Sequence, residues 1–412
     1  MIKDYKLEQL VAPLLHWFCE NARVLPWRSE PTPYRVWVSE IMLQQTRVEA
    51  VKPYFGRFIK ALPDVQALAE CPEDELLKLW EGLGYYNRVR NMQKAAIQIM
   101  EEYNGRIPAD YEALLKLKGI GHYTAGAIAS IAYGIPVPAV DGNVLRVLTR
   151  VTADETDIMK QSFRIEVEDA LKQIMWPETV SNKEMSADVP TESAVAKENP
   201  AGAFNQALME LGATVCLPNG APLCEKCPWQ AMCRARQEGL IDQLPVKSKA
   251  KARRIEKRTV LIIRDDDKVA IRKRPNQGLL AGLYELPNVE GYLSTKQVLS
   301  LVKDMHFAPI RIQKLAEAKH IFSHIEWHMR GYAIRVEESG LSETNQWTDE
   351  NMSSENARNE LAVGSKVQTE QNKSTELIFV DATDARERYA IPSAFAAYAE
   401  YMNIKLGNER FS

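Results

Sequence analysis

The stretch LKGIGHYTA, residues 117–125, decides the fold of the first part of the chain. An apolar helix ends there, Gly119 and Gly121 permit a tight turn, and a helix of small residues is expected from about Tyr123. The backbone N–H groups at the start of that second helix would bind a phosphate. Two glycines by themselves are more typical of a bare turn between helices, so the other motifs must decide.

The composition is that of a soluble globular protein. The 412 residues exceed what one ordinary core needs, and 45% are hydrophobic and 26% charged. No apolar run is long enough to span a bilayer, and the N-terminus leads into an amphipathic helix pattern, not a signal peptide. We therefore expect a monomeric cytoplasmic protein of bacterial type, with no membrane association. The net charge of −3 argues against a general nucleic-acid coat, although local basic clusters can still bind phosphates.

A change from a helical hydrophobic pattern to a strand pattern along the chain predicts two domains. Residues 1–245 have a mainly helical pattern, with a polar insertion at 178–200. A basic linker follows at 246–258, and it could be either solvated or a phosphate-binding cluster. Residues 259–402 form a smaller α+β domain that begins with two expected strands and contains a polar insertion at 337–375.

One candidate catalytic residue is Asp141, in the stretch AVDGNVLR at 139–146. The apolar spacing that follows predicts a helix with Asp141 at its N-cap, which is an ordinary place for an aspartate. The same position favours an ionised carboxylate because the helix N-terminus is electropositive. Such a carboxylate beside a sugar can stabilise an oxocarbenium-like transition state.

A second candidate is Glu40, in the stretch VWVSEIMLQQT at 36–46. On a helix Glu40 shares a face with Trp37 and Leu43, so burial should raise its pKa. An isolated glutamate is more often a surface residue. Glu40 and Asp141 nevertheless form a matched pair, because one is biased to hold a proton and the other to lose it.

Four of the six cysteines crowd into one loop at 216–233, with the spacing C-x7-C-x2-C-x5-C. The ligands would be Cys216, Cys224, Cys227 and Cys233. In a reducing compartment such crowding indicates a metal site and not disulfides. Four thiolates can hold a 4Fe–4S cluster or a structural zinc, but zinc ribbons usually pair two Cys-x2-Cys hooks and only one is present.

Together these strings resemble the adenine branch, of the MutY type, in the helix–hairpin–helix DNA glycosylase superfamily that includes endonuclease III. That superfamily usually has proline where Lys118 stands, and six residues, not seven, in the first cysteine gap. The resemblance implies a mainly α, helix–hairpin–helix catalytic domain with an iron–sulfur loop. It also implies that Glu40 protonates adenine N7 and activates water, while Asp141, with Asn143 as its partner, stabilises the sugar cation or its covalent adduct.

The resemblance assigns further contacts to DNA. It implies that Gln45 and Tyr85 are wedges that enter the duplex, and that Arg28 and Gln206 contact the flipped adenine. Bifunctional glycosylase–lyases have lysine at the position of Tyr123, because imine chemistry needs an amine. Tyrosine cannot form that imine, so we expect base removal without strand cleavage.

The second domain resembles a Nudix fold at GLLAGLYELP, residues 278–287, but the acidic magnesium-binding helix of Nudix hydrolases does not follow. Phosphate hydrolysis is therefore not expected. The stretch KHIFSH at 319–324 matches the segment with which the adenine branch reads oxidised guanine. There Phe322 would stack or wedge, and Ser323 and His324 would contact the altered base. An ordinary alternating strand is the competing interpretation.

The sequence thus predicts a monofunctional enzyme that hydrolyses the N-glycosidic bond of adenine paired with 8-oxoguanine or guanine in double-stranded DNA. It would initiate base excision repair and prevent G:C to T:A transversions, with a 4Fe–4S cluster as cofactor. A bifunctional glycosylase–lyase and a non-catalytic iron–sulfur sensor of DNA damage are the alternatives. The sensor would have no need of both carboxyl groups.

Overall fold

The computed structural model describes residues 2–175, 198–248, 252–337 and 377–402. By their internal contacts the residues form two compact units. The first contains Met1–Cys71 and Asn87–Ala250, and the second contains Pro72–Tyr86 and Lys251–Ser412. The sequence predicts one domain for residues 1–245, whereas Pro72–Tyr86 groups with the second unit.

The first unit is helical. Helices α1 to α4 span Val11–Asn21, Pro33–Leu43, Val48–Ala61 and Val65–Glu70, and α6 to α12 span Asn87–Tyr103, Tyr111–Lys116, His122–Ala127, Gly142–Thr152, Gln161–Met175, Pro200–Thr214 and Arg234–Gln237. Single 3-10 turns lie at Ile2–Asp4, Leu7–Leu10 and Cys224–Lys226, and a π turn at Ile128–Ala132 continues α8. Helix α9 is central, since every residue from Val144 to Thr152 is buried.

The predicted helix–hairpin–helix is formed by α7 and α8, and α8 begins one residue earlier than expected, at His122. Gly119 adopts a left-handed φ of +78°, and a Cβ there would lie 2.7 Å from Cβ of Asn91. Gly121, at φ −101°, is the N-cap of α8. Only the first glycine of the pair is therefore required by the backbone.

The second unit contains α5 (Glu73–Leu79) and one seven-stranded sheet. Strands β1 to β7 span Arg254–Asp265, Lys268–Lys273, Tyr284–Glu285, Asn288–Glu290, Pro309–Ile321, Ile325–Val336 and Leu377–Val380. The strand order is β3-β2-β1-β6-β5, with β4 on β1 and β7 on β2. The central pair, β1 and β6, is parallel, and the other pairs are antiparallel.

Both faces of the sheet are covered. Leu261 and Ile263 of β1 pack with α13 (Thr295–Asp304), while Val260 and Ile262 face the layer of the C-terminal helices. That layer comprises α14 (Ala382–Arg388), a 3-10 turn at Ser393–Tyr398 and α15 (Ala399–Met402). Successive side chains of β1 point to opposite faces of the sheet, and both faces are covered, so the side chains on both faces are buried.

Two sequence-based boundaries were wrong. The basic linker was extended to residue 258, but β1 begins at Arg254, because the strand pairs with β6 along its charged first residues. The insertion was extended to residue 200, but Asn199 caps α11 and Pro200 is its first residue. The competing interpretation of residues 319–324 as one strand also fails, because β5 ends at Ile321. The remainder of both predicted insertions lies outside the described residues.

Among the residues that the structure describes, no helix is both long and apolar enough to cross a membrane.

Candidate active site

Glu40 lies on the buried face of α2. The helix begins after Thr32, whose side chain accepts the N–H of Arg35, and Pro33 occupies its first position. Glu40 is 5% exposed and Trp37 1% exposed. The apolar face that the spacing predicted is therefore confirmed.

The phenol of Tyr123, on α8, donates a hydrogen bond of 2.6 Å to Oε2 of Glu40. Burial raises the pKa of Glu40 from 4.5 to about 7, and the negative charge of Asp141 adds to the rise. The hydrogen bond from Tyr123 and the positive charge of Arg28 act in the opposite direction. The predicted rise in the pKa of Glu40 is confirmed, and it leaves a carboxyl group that can exchange a proton near neutral pH.

Asp141 is the N-cap of α9, as the sequence predicts. Its Oδ1 accepts the backbone N–H groups of Asn143 and Val144 at 2.9 and 2.8 Å, and its Oδ2 accepts the side-chain amide of Asn143 at 2.7 Å. Three N–H donors thus hold this carboxylate in one orientation. The structure brings Glu40, Tyr123 and Asp141 close enough for their charges to interact, and Asn143 is hydrogen-bonded to Asp141.

The guanidinium of Arg28 is held by a buried acid that the sequence analysis did not single out. Glu210, with a side chain 1% exposed, accepts from Arg28 at 2.8 Å and from Nε and Nη2 of Arg23 at 2.5 and 3.0 Å. Burial raises the pKa of Glu210, but the hydrogen bonds and charges of the two arginines hold it below its usual value. A lone acidic residue in the apolar run of α11 was the available signal.

Gln206 is half-buried on α11, three residues before Met209, whose Sδ lies 3.7 Å from the phenol of Tyr123. The spacing places Gln206 and Met209 on the same face of the helix. Gln45 is exposed just beyond α2, at a left-handed φ of +58°. Arg88, also missed by the sequence analysis, donates to three carbonyl oxygens at the end of α2, at distances of 2.7, 2.8 and 3.1 Å.

Two arginines of α9 connect the N-terminal end of that helix to the cysteine loop. Arg146 donates to Oδ1 of Asn143 at 3.0 Å and to the carbonyl of Cys216 at 2.9 Å. Arg150 donates to the carbonyl of Leu217 at 2.8 Å, and its Nη1 lies 3.5 Å from Sγ of Cys216. Arginines four residues apart in an otherwise apolar helix were the sequence signal for both.

All four cysteines of the loop line one pocket, together with Val147, Arg150 and Trp229. Burial raises the pKa of the Cys227 thiol to about 12, and the neighbouring cysteines add to the rise. Within the described ranges, no three metal-binding side chains converge as the ligands of a single ion would. A four-iron cluster does not require that convergence, because each cysteine binds a different iron. Four thiols that line one pocket are a donor set that either a 4Fe–4S cluster or a structural zinc ion can use.

In the second unit, Phe322, Ser323 and His324 form the turn between β5 and β6. The ring of Phe322 packs edge-on against Trp327, with centroids 5.0 Å apart, while Ser323 and His324 are exposed. The backbone N–H of Arg254 donates to the carbonyl of His324 at 3.0 Å. The packing of Phe322 on Trp327 and the hydrogen bond from Arg254 thus hold the turn in place. The polar side chains of Ser323 and His324 are exposed to solvent.

Tyr85, the other wedge predicted by the resemblance, also belongs to the second unit. It is 49% exposed and adopts a left-handed φ of +48°.

Two family models match the chain. Residues 38–173 match the HhH-GPD superfamily of base excision DNA repair proteins, and residues 258–401 match the NUDIX domain. The fold and the paired carboxyl groups therefore define a base excision DNA repair protein.

The chain is 34% identical over 387 residues to the adenine DNA glycosylase of Mus musculus, covering 80% of this chain and 71% of the relative. It is 31% identical over 339 residues to that of Buchnera aphidicola subsp. Baizongia pistaciae, covering 81% and 88%. A solved thermostable thymine-DNA glycosylase matches 58% of this chain and 100% of its own, at 24% identity and a TM-score of 0.46. The chain belongs to the adenine DNA glycosylases, which are hydrolases of base excision repair.

Proposed function

We propose that this adenine DNA glycosylase is monofunctional and acts on adenine opposite 8-oxoguanine in duplex DNA. The observation that carries the proposal is the 2.6 Å hydrogen bond between Tyr123 and the buried Glu40. It places a carboxyl group of near-neutral pKa beside a phenol, at the position where a lyase needs an amine.

The proposed reaction is hydrolysis of the N-glycosidic bond. Glu40, protonated, donates its proton to N7 of adenine as the bond to C1′ breaks, and the bonding electrons leave with the base. The carboxylate of Asp141, held by its three N–H bonds, stabilises the positive charge on the sugar. Glu40 then takes a proton from water, whose oxygen bonds to C1′. The products are free adenine and an intact abasic strand.

Arg28 and Gln206 are proposed to contact the extruded adenine. Arg28 is oriented by its ion pair with Glu210, which leaves little freedom to its guanidinium. Gln206 shares a helix face with the side chain that contacts Tyr123. Base extrusion brings the reacting bond to groups that cannot reach it inside the duplex.

Recognition of 8-oxoguanine is assigned to the turn Phe322–His324 of the second unit. Ser323 and His324 are exposed there, and Oγ of Ser323 lies 3.0 Å from Nδ1 of His324. Polar groups presented on a fixed turn can hydrogen-bond the edge of the oxidised base. A monomeric state and a cytoplasmic location are part of the same proposal.

The four pocket cysteines are proposed to hold a 4Fe–4S cluster, which would cross-link the loop between α11 and α12. The expected metal content is about four irons per chain without stoichiometric zinc. Cys227→Ser should lower the iron content, whereas Cys19→Ser, outside the pocket, should not. One zinc and no iron in the purified protein would reverse the assignment.

The function is tested by single-turnover base removal on duplexes with adenine opposite 8-oxoguanine or guanine, before and after hot alkali. We expect cleavage of the strand only after alkali, and little covalent product on borohydride trapping. Strand cleavage before alkali together with efficient trapping would show that the protein is a glycosylase–lyase. If no base is removed, the remaining interpretation is a non-catalytic sensor of DNA damage.

Lesion preference is tested by Ser323→Ala, with Ser393→Ala, an exposed serine of the same unit, as the control. The first variant should lose about tenfold of the preference for 8-oxoguanine over guanine, the value of roughly one hydrogen-bond contact. The control should keep it. If both variants have the same preference for 8-oxoguanine over guanine, the turn does not take part in lesion recognition.

A further inference from the structure

The segment Pro72–Tyr86 belongs to the second unit, although the chain on both sides of it belongs to the first. It consists of α5, a short turn, and Tyr85 at its end. What holds this segment to the rest of the second unit therefore bears on the placement of Tyr85.

The backbone in front of Tyr85 is unusual. Gly82, Gly84 and Tyr85 have φ values of +99°, +69° and +48°. A non-glycine residue keeps a left-handed conformation only where its surroundings fix it. The indole of the fully buried Trp80 contributes, since its Nε1 donates to the carbonyl of Gly84 at 3.1 Å.

Lys78, near the end of α5, caps another helix of the same unit. Its side chain is 14% exposed, and Nζ donates to the carbonyls of Tyr389 and Ala385 at 2.7 and 3.2 Å. Both carbonyls lie at the C-terminal end of α14. Helix ends have carbonyls without intrahelical partners, and they favour a positive charge.

Glu81 completes the connection. Its side chain is 3% exposed, its Oε2 lies 2.9 Å from Nζ of Lys78, and its Oε1 accepts the backbone N–H of Ile391 at 3.0 Å. One buried ion pair thus binds three backbone groups between residues 385 and 391. Removing either side chain of the pair leaves the other as an unpaired buried charge. It also breaks contacts between segment 385–391 and the residues just before the turn that carries Tyr85.

We propose that Lys78 and Glu81 are positioning residues through which segment 385–391 fixes Tyr85 for entry into the duplex. The proposal rests on the proposed function in one respect, the role of Tyr85 as a wedge. It adds that the wedge is held by the same compact unit as the turn Phe322–His324, so that unit sets the distortion of the DNA as well as the reading of the lesion.

The test is a double-mutant cycle in the full-length protein, combining Lys78→Met with Tyr85→Ala. The probe is a duplex with 8-oxoguanine opposite a hydrolysis-resistant adenosine analogue, and with 2-aminopurine next to the oxidised guanine. Fluorescence of 2-aminopurine reports unstacking, and titration of the duplex gives Kd. The matched control is Asp74→Asn, which removes an exposed ion pair that joins the same helix to Lys273.

We expect Lys78→Met to reduce the fluorescence rise about fivefold and to weaken Kd about tenfold, while the control stays within about twofold, as exposed ion pairs do. In the Tyr85→Ala background, Lys78→Met should change Kd by less than about twofold, because residues that act through one another are not additive. An undiminished tenfold effect in that background would overturn the proposal, since Lys78 would then act independently of Tyr85.

Two further outcomes are decisive. If Lys78→Met does not fold, Glu81→Gln, which keeps an acceptor for the N–H of Ile391, enters the same cycle with the same criteria. If Tyr85→Ala alone changes neither fluorescence nor Kd, the wedge role is wrong and this proposal fails. Base removal opposite 8-oxoguanine by the unmodified protein would then still stand, so the two failures are distinguishable.

Discussion

The phenol oxygen of Tyr123 lies 2.6 Å from Oε2 of Glu40, across 83 positions of sequence. The phenol is the donor, because burial raises the pKa of Tyr123 well above its usual value. A donor favours the ionised form of its acceptor, so this hydrogen bond opposes the effect of burial on Glu40. Tyr123 therefore lowers the pKa of Glu40, the proposed general acid, toward neutrality.

Tyr123→Phe should raise the pKa of Glu40 further, because the variant loses the bond that stabilises the carboxylate. In the proposed mechanism base removal needs protonated Glu40, so its rate should fall as the pH rises through about 7. In the variant this alkaline limb should move upward by roughly half to one pH unit.

The measurement is the pH profile of single-turnover adenine removal. Tyr111→Phe, which removes an exposed phenol bonded to His122, is the matched control and should leave the limb in place. A downward shift in Tyr123→Phe would contradict this account of the hydrogen bond.

Glu40→Gln should abolish base removal and stabilise the protein at alkaline pH. The folded pKa of about 7 lies above the usual 4.5, so the folded chain holds a proton that the unfolded chain releases. The stability present below pH 4.5 is therefore progressively lost as the pH rises through about 7. The loss amounts to up to about 3 kcal/mol at pH 8.

Urea denaturation of Glu40→Gln and the unmodified protein at pH 5 and pH 8 measures this difference. The variant should be the more stable protein at pH 8, and the two should nearly coincide at pH 5. Equal stability at both values would mean that Glu40 is not desolvated in solution.

Glu210→Gln should destabilise the first unit, because it leaves Arg23 and Arg28 beside a buried neutral group. Removing one partner of a buried ion pair costs about 3–5 kcal/mol. Glu30→Gln, which breaks an ion pair of the exposed Glu30 with Arg35, should cost less than about 1 kcal/mol. Thermal unfolding compares the two, and equal melting temperatures would show that Glu210 is not needed to hold Arg28.

The two hairpin glycines should respond differently to alanine. At Gly119 the left-handed backbone and the 2.7 Å approach to Asn91 both oppose a Cβ, so DNA affinity should fall about tenfold or more. At Gly121 no atom lies within 4 Å of a Cβ and φ is −101°, so the alanine variant should bind nearly as the unmodified protein does. Gel-shift titration on undamaged duplex compares the DNA affinities of the two alanine variants. Equal affinities would show that the hairpin does not take part in DNA binding.

The sequence was sufficient wherever a few neighbouring residues decide the structure. The N-cap at Asp141, the buried face of α2 around Glu40 and the turn at Gly119 follow from spacing and from local backbone preferences. Because all of these act within a turn or two of helix, a single sequence reveals them. The roles of the DNA contacts came from resemblance, the metal site from the crowding and spacing of the four cysteines, and both stay predictions.

Only the tertiary structure decided which distant groups meet. Glu210 reaches Arg23 across 187 positions, β1 begins at Arg254 because β6 pairs with it, and Lys78 finds its carbonyl partners 307 and 311 positions away. Each of these contacts joins segments whose local patterns are unremarkable, a surface-type lysine in α5 or a charged run before a strand. Burial strengthens the contacts of Glu210 and Lys78 because it removes competing water, and pairing with β6 extends β1 into an exposed charged run. Both effects are properties of the packed chain and not of any short stretch of it.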